Sequence, residues 1–181
     1  MRDPVFLPAL GIVSPLGQDK QQIFDRLMAG QRPGVVQRDN LLVGGESIYV
    51  GEVGATLPEV PPELAIYSSR NSALMIAAAD EIRGDIERAI SRHGRERIAV
   101  VVGTSTSGMD VVERAVVHAR ASGELPADYD FRQHELGSPA EALARYLSLE
   151  GPAFTVSTAC SSSAQALADG RRLLRSGIAD A

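Results

Sequence analysis

The sequence predicts an α/β protein with helices layered on a mainly parallel sheet. Short apolar runs rich in Val and Ile alternate with segments whose apolar residues recur at helical spacing. Aromatic residues are only 4% of the chain and Trp is missing. The core is therefore built from Val, Ile, Leu and Ala, as buried parallel strands and Ala-rich helices are. Hydrophobic residues at 44% and charged residues at 23% are ordinary globular values. A chain of 181 residues can bury most of the surface its unfolded form exposes.

Val5 to Val13 is apolar with few interruptions and ends at the turn signal Ser14-Pro15-Leu16-Gly17. It predicts a first buried strand, although Pro8 removes one ladder donor. Asp19 to Ala29 places Ile23, Leu27 and Met28 on one helical face, and Gly30 closes it. Gln31 to Ile66 interleaves Gly and Pro, which predicts surface excursions and one short strand near Ile48 to Val53. Ser68 or Ser69 caps a long helix running to about Arg92.

Ile98 to Val102 is a β-branched run before Gly103 and predicts a parallel strand. Ser107 to Ala121 predicts a helix, and Gly123 to His134 a polar loop. Ser138-Pro139 opens another helix with Pro at its first position. Gly151-Pro152 breaks the chain before a strand over Ala153 to Val156. A last helix spans about Ser161 to Arg175, Gly177 ends it, and Ile178 to Ala181 begins an extended segment. The order of strands and helices implies α/β layers in one unit, with no internal repeat or linker.

Lys and Arg number 18 against 23 Asp and Glu, a net charge of −5. That argues against a general nucleic-acid binder, whose affinity rests on basic residues at phosphates. No apolar run reaches the ~18 residues of a membrane span. Met1-Arg2-Asp3-Pro4 makes a poor signal peptide, and a cytoplasmic protein is expected. The single cysteine, Cys160, allows no internal disulfide and no zinc cluster. No metal and no cofactor are expected.

Chemistry concentrates in Ala153 to Ala164, where a strand runs through a tight turn into a helix with small residues in its first turns. Cys160 sits at the junction. A helix N-terminus presents N–H groups and a positive dipole end, which favour a thiolate and an oxyanion. A free Cys is also among the most buried residue types, so Cys160 is either a small core residue or a reactive thiol.

A second polar stretch, Gly103-Thr104-Ser105-Thr106-Ser107-Gly108, follows the Ile98–Val102 strand. It lacks the Lys-Ser/Thr ending of a P-loop and the GxGxxG pattern, and reads as a polar strand-to-helix turn at the edge of a site. His93, His118 and His134 are expected to be solvated or structural. Arg171, Arg172 and Arg175 suit the C-terminal dipole of the last helix.

Val156-Ser157-Thr158-Ala159-Cys160-Ser161-Ser162-Ser163-Ala164 resembles the active-site segment of β-ketoacyl-[acyl-carrier-protein] synthases, the condensing enzymes of fatty-acid and polyketide synthesis. Three further stretches resemble that family in the same order: Leu10 to Gly17, Val101 to Gly108, and Leu149 to Pro152. The resemblance implies a thiolase-like fold, here a layered α-β-α half with a mainly parallel mixed sheet. A full member has two similar halves, and this chain, residues 1–181, corresponds to the N-terminal one. The C-terminal half carries the two histidines and the lysine of the later steps and a second oxyanion N–H, so this chain alone is not expected to turn over.

By the same resemblance Cys160 matches the catalytic nucleophile, and Thr106 matches the substrate-binding position that gates the acyl pocket. The implied partners are an acyl carrier protein and acyl and malonyl thioesters. A homodimer or heterodimer is implied, with the strand around Pro152 to Ser157 pairing across a two-fold. No nucleic acid and no membrane are expected as partners. Pro8-Ala9 departs from the family's usual Thr-Gly. Glu59 and Glu63 stand where the family often has basic residues before its long helix, and the loop Glu124 to Asp130 is acidic too, which opposes docking on an acidic carrier. Inactive chain-length factors replace the cysteine, whereas this chain keeps it. Two other readings stay open: a non-catalytic partner half with an inert cysteine, and a thiolase-fold enzyme using coenzyme A thioesters.

Overall fold

Side chains alternate across a strand, and one four-residue strand divides this molecule into its layers. The computed structural model describes residues 4–181. Its elements in order are helix α1 (Lys20–Met28), strands β1 (Val35–Arg38) and β2 (Ile48–Gly51), and a 3₁₀ turn over Pro62–Tyr67. Helices α2 (Arg70–Asp80) and α3 (Arg83–His93), strand β3 (Val100–Gly103) and helix α4 (Met109–Ser122) follow. Helix α5 (Ser138–Tyr146), strand β4 (Ala153–Val156) and helix α6 (Ser162–Arg175) complete the chain.

β3 and β4 pair in parallel, with Val100 opposite Ala153 and Gly103 opposite Val156. Val100 packs with Ala140 and Ala144 of α5, supported by Val102, Leu143 and Leu149. Gly103, on the opposite face, lies against the first residues of α6. The parallel pair is thus sandwiched between α5 and α6, and α2 backs α5. This is the α-β-α layering expected of a thiolase-like half. Alanines at 140, 142 and 144 are nearly or fully buried and let the helices approach closely. At the α2–α5 seam Tyr146 donates to both carboxylate oxygens of Asp80 at 3.0 Å, and the Arg83 guanidinium sits 4.8 Å over the Tyr146 ring.

The final residues hydrogen-bond to the chain just before β3 without forming a strand. Val100 N–H donates to Pro152 O, whereas Ala99 N–H donates to Ala181 O, each at 2.8 Å. Successive N–H groups of an extended chain point to opposite sides, so β4 and the 178–181 segment lie on opposite sides of the chain entering β3. Arg97 fastens that segment through Asp180 at 2.8 Å and the carbonyls of Gly177 and Ile178.

Three sequence expectations need correction. The strand over Val5–Val13 is not formed: Phe6, Leu7 and Leu10 are exposed, and among the described residues no neighbouring strand covers them. The segment lies against α2 instead. Ile12 N–H donates to Glu81 Oε2 at 3.0 Å, and a Cβ on Gly11 would stand 1.9 Å from Ala78 O. The long helix over 69–92 is broken at Glu81–Ile82 into α2 and α3. Glu81 turns its carboxylate to the crossing chain there, and Gly84, a poor helix former, follows. The irregular region hides a second strand, since β1 pairs antiparallel with the expected β2, Val36 opposite Val50. Gly34 makes this possible: a Cβ there would lie 2.2 Å from Pro15 O. The described residues therefore hold one parallel pair and one separate antiparallel hairpin rather than one continuous mixed sheet.

The remaining elements follow the sequence closely. Asp19 caps α1 by accepting from Gln22 N–H at 2.8 Å, and Ser69 caps α2 by accepting from Ser72 N–H at 3.1 Å. Among the described residues no helix is long and apolar enough to cross a membrane.

Candidate active site at the carboxyl edge of the parallel pair

Because Gly103 stands opposite Val156, β3 and β4 end together, and Thr104 N–H donates to Val156 O at 3.2 Å. Two loops leave that edge side by side. One runs through Thr104–Gly108 into α4, the other through Ser157–Ser161 into α6. The carboxyl ends of parallel strands are the usual place for ligands in open α/β sheets. Thr106 and Cys160, fifty-four positions apart in sequence, are both brought to this edge, and both are exposed. Among the described residues Cys160 is exposed rather than packed in the core.

Cys160 occupies a single 3₁₀ turn, Ala159–Ser161, and α6 begins at Ser162, one residue later than expected. The turn is tight enough to place Ala159 at φ 52°, in the left-handed region. A non-glycine residue there costs about 1–3 kcal/mol, and such strain persists only where the surroundings impose it. Two hydroxyls bond the backbone around it. Ser161 Oγ lies 2.8 Å from Thr158 O, to which it donates. Ser162 Oγ accepts from Thr158 N–H at 2.9 Å and donates to Ala159 O at 2.7 Å. Sequence reasoning saw this Ser run only as small residues. Its hydroxyls are the signal, since Ser beside a helix start bonds local backbone.

The floor of the edge is Gly103. A Cβ there would meet Ser162 O at 2.6 Å and Ser163 Cα at 2.7 Å. Only glycine lets β3 and the start of α6 approach this closely.

The Thr104–Gly108 loop is held from behind by the 128–135 segment, which the sequence presented as a plain loop. Ser107, at φ 40° and buried, donates through Oγ to Glu135 O at 2.7 Å. A Cβ on Gly108 would stand 2.0 Å from Gln133 O. Gln133 is itself buried, and Asp130 N–H donates to its Oε1 at 3.0 Å. Asp130 accepts from Arg132 N–H at 2.9 Å and pairs with the Arg132 guanidinium at 2.6 Å. The arrangement is a pinned polar turn, as the sequence suggested, rather than a phosphate cradle.

The Arg132 side chain, then its backbone N–H, hold the Asp130 carboxyl down at about 2, against an ordinary 3.8. Its folded value is below its unfolded one, so its contribution is fully present above the ordinary value and is lost as pH falls through about 2. An NMR titration of the Asp130 carboxyl should give a midpoint near 2, and Arg132→Ala should return it toward 3.8. A wild-type midpoint at the ordinary value would refute the pinned turn.

None of the three histidines hydrogen-bonds or ion-pairs with Cys160 among the described residues. His134 stacks on Tyr129 and meets Phe131 edge-on. His93 lies 4.0 Å from Asp180. His118 offers its carbonyl to Ser122 Oγ. At the end of α6, Arg172 pairs with Asp169. No group of three or more metal-ligating side chains occurs among the described residues.

The sequence model described as Beta-ketoacyl synthase, N-terminal domain, matches residues 2–181. No curated protein matches the chain. Among solved structures, a chain of the complex of a ketosynthase with its chain length factor from Xenorhabdus doucetiae is 44% identical, with a TM-score of 0.87. The match covers 94% of this chain and 43% of that one. A β-ketoacyl synthase from Burkholderia phymatum STM815 is 21% identical at a TM-score of 0.69, covering 94% of this chain and 43% of that one. The ishigamide ketosynthase/chain length factor is 22% identical at 0.71, covering 94% and 48%. These last two show the shared fold. The chain thus spans less than half the length of each solved relative. With its α-β-α layers and its cysteine turn, the chain belongs to the β-ketoacyl synthase family and matches that family's N-terminal domain.

Proposed function

We propose that residues 1–181 form the acyl-accepting N-terminal half of a β-ketoacyl-[acyl-carrier-protein] synthase, with Cys160 as its nucleophile. The observation that carries this reading is the exposed Cys160 on a strained strand-turn-helix junction at the carboxyl edge of a parallel pair. In the first step the Cys160 thiolate attacks the carbonyl carbon of an acyl-carrier thioester. The carrier thiolate leaves, and the acyl group stays on Sγ as a new thioester. In the second step a malonyl-carrier thioester loses carbon dioxide. Its carbanion attacks the Sγ-bound acyl carbon, releasing the Cys160 thiolate and a β-ketoacyl carrier.

The resemblance assigns the catalysis of this second step to residues of a C-terminal half, so full turnover requires that half. Thr106, on the neighbouring loop, is proposed as the gate of the acyl pocket. The carrier protein and a homodimeric or heterodimeric assembly belong to the same proposal, as does a cytoplasmic location for a chain with one free cysteine. The dimer draws support from the solved ketosynthase–chain length factor complexes and from β4, whose Ala153 and Phe154 are exposed.

The test is the intact mass of the chain after exposure to an acyl-carrier thioester. A single acyl adduct on the wild type and none on Cys160→Ser is expected. If no adduct forms while iodoacetamide still modifies Cys160, the C-terminal half supplies the pocket or docking surface that acyl transfer needs. If neither reagent reacts, Cys160 is inert and the non-catalytic partner reading takes its place.

A further inference from the structure

We propose that Ser162 is the positioning residue of Cys160, a role that rests on the reading of Cys160 as the acyl acceptor. The hydroxyl of Ser162 closes a loop around the cysteine. It takes Thr158 N–H at 2.9 Å on the strand side and gives its proton to Ala159 O at 2.7 Å. The Ser162 backbone N–H donates to the same Ala159 carbonyl. The residue is 3% exposed, so water does not substitute for these contacts.

A trans peptide fixes the consequence. The Ala159 carbonyl and the Cys160 N–H belong to one planar unit and point in opposite directions. Pulling Ala159 O toward Ser162 therefore aims Cys160 N–H away from α6. It also holds Ala159 at φ 52°, which sets the direction in which the cysteine side chain leaves the turn. With Gly103 pressed against the Ser162 carbonyl, the clamp is tied to the strand end and moves with it. Ser161 cannot replace it, since its hydroxyl is exposed and reaches only Thr158.

The test compares two isosteric pairs in the full chain: wild type with Ser162→Ala, and Ser162→Thr with Ser162→Val. The members of each pair differ in the hydroxyl and little else. Three quantities are read: iodoacetamide alkylation of Cys160 as a function of pH, the rate of acyl-adduct formation, and the thermal unfolding midpoint. Both variants lacking the hydroxyl are expected to change the pH profile of alkylation and to form the adduct about 10- to 100-fold more slowly, the usual cost of an ångström-scale misplacement. Ser162→Thr is expected to keep the wild-type profile. Should Ser162→Ala fail to fold, the Thr/Val pair decides. Profiles and rates unchanged in the Ala and Val variants overturn the proposal. So does a loss that only follows the fall in unfolding midpoint. If the wild type neither accepts an acyl group nor reacts with iodoacetamide, the reading of Cys160 falls; if only the acyl group fails to transfer, the alkylation profiles still decide the part played by Ser162.

Discussion

Gly103→Ala is expected to destabilise the chain by about 3 kcal/mol and to disturb Cys160 at the same time. Overpacking costs typically 1–3 kcal/mol, and this site belongs at the upper end. The added methyl would stand 2.6 Å from Ser162 O and 2.7 Å from both Ser162 C and Ser163 Cα. All three are backbone atoms, so no side chain can rotate away. Relief requires the start of α6 to move off β3. That movement breaks the tie between the strand end and the Ser162 clamp, so alkylation of Cys160 should change together with stability. Denaturant unfolding with an unchanged slope and a lower midpoint, alongside a shifted alkylation rate, is the expected result. A midpoint equal to the wild type would show that the close approach of β3 and α6 does not exist in solution.

Ile76→Ala is expected to cost about 2–5 kcal/mol, the range for removing a large aliphatic side chain from a core. Ile76 is 1% exposed, on the buried face of α2 with Ser72, Ala73 and Ala79. α2 packs on α5, whose buried residues are Ser138, Pro139, Ala140, Ala142 and Ala144. Ile76 is nearly fully enclosed, so the loss is expected to be substantial, within that range. Against a typical total of about 5–15 kcal/mol this is a large share. The measurement is again the denaturant midpoint. A loss below about 1 kcal/mol would mean that the α2–α5 seam collapses freely, contrary to the packing described.

The two predictions differ in what the sequence alone discloses about them. Ile76 stands in a run expected to be helical, but the face the structure buries, Ser72, Ala73, Ile76 and Ala79, differs from the spacing read along Leu74, Ala77 and Ala78. Gly103 follows a β-branched run and looks like an ordinary strand end. The reason for its missing side chain, the α6 backbone, comes from a segment sixty residues later. The same division runs through the candidate site. Cys160 was legible because a strand run, a lone cysteine and a row of small residues stand consecutively, and because that string resembles a known active-site segment. Thr106 was legible only through resemblance. Nothing local in the chain states that its loop and the cysteine turn leave adjacent strand ends.

The errors have the same physical origin. Val5–Val13 has the composition of a buried strand, but strand formation needs a partner edge. Among the described residues the segment instead crosses α2, with Phe6 and Leu7 exposed. The helix expected over 69–92 carries good periodicity throughout. It breaks where Glu81 gives its carboxylate to Ile12 N–H, a contact between residues 69 positions apart. β1 was missed because four residues between glycines and prolines carry little periodic signal until β2 pairs with them.

By itself, then, the sequence determined the α/β class, the helical segments apart from the break between α2 and α3, the two strands of the parallel pair and the cysteine turn. Each of these rests on local periodicity, capping side chains or a contiguous motif. Tertiary structure decided which edge of the sheet holds Thr106 beside Cys160, and how closely α6 approaches β3. Those depend on backbone groups brought together from distant positions, whose hydrogen bonds and close contacts exist only once the layers have packed.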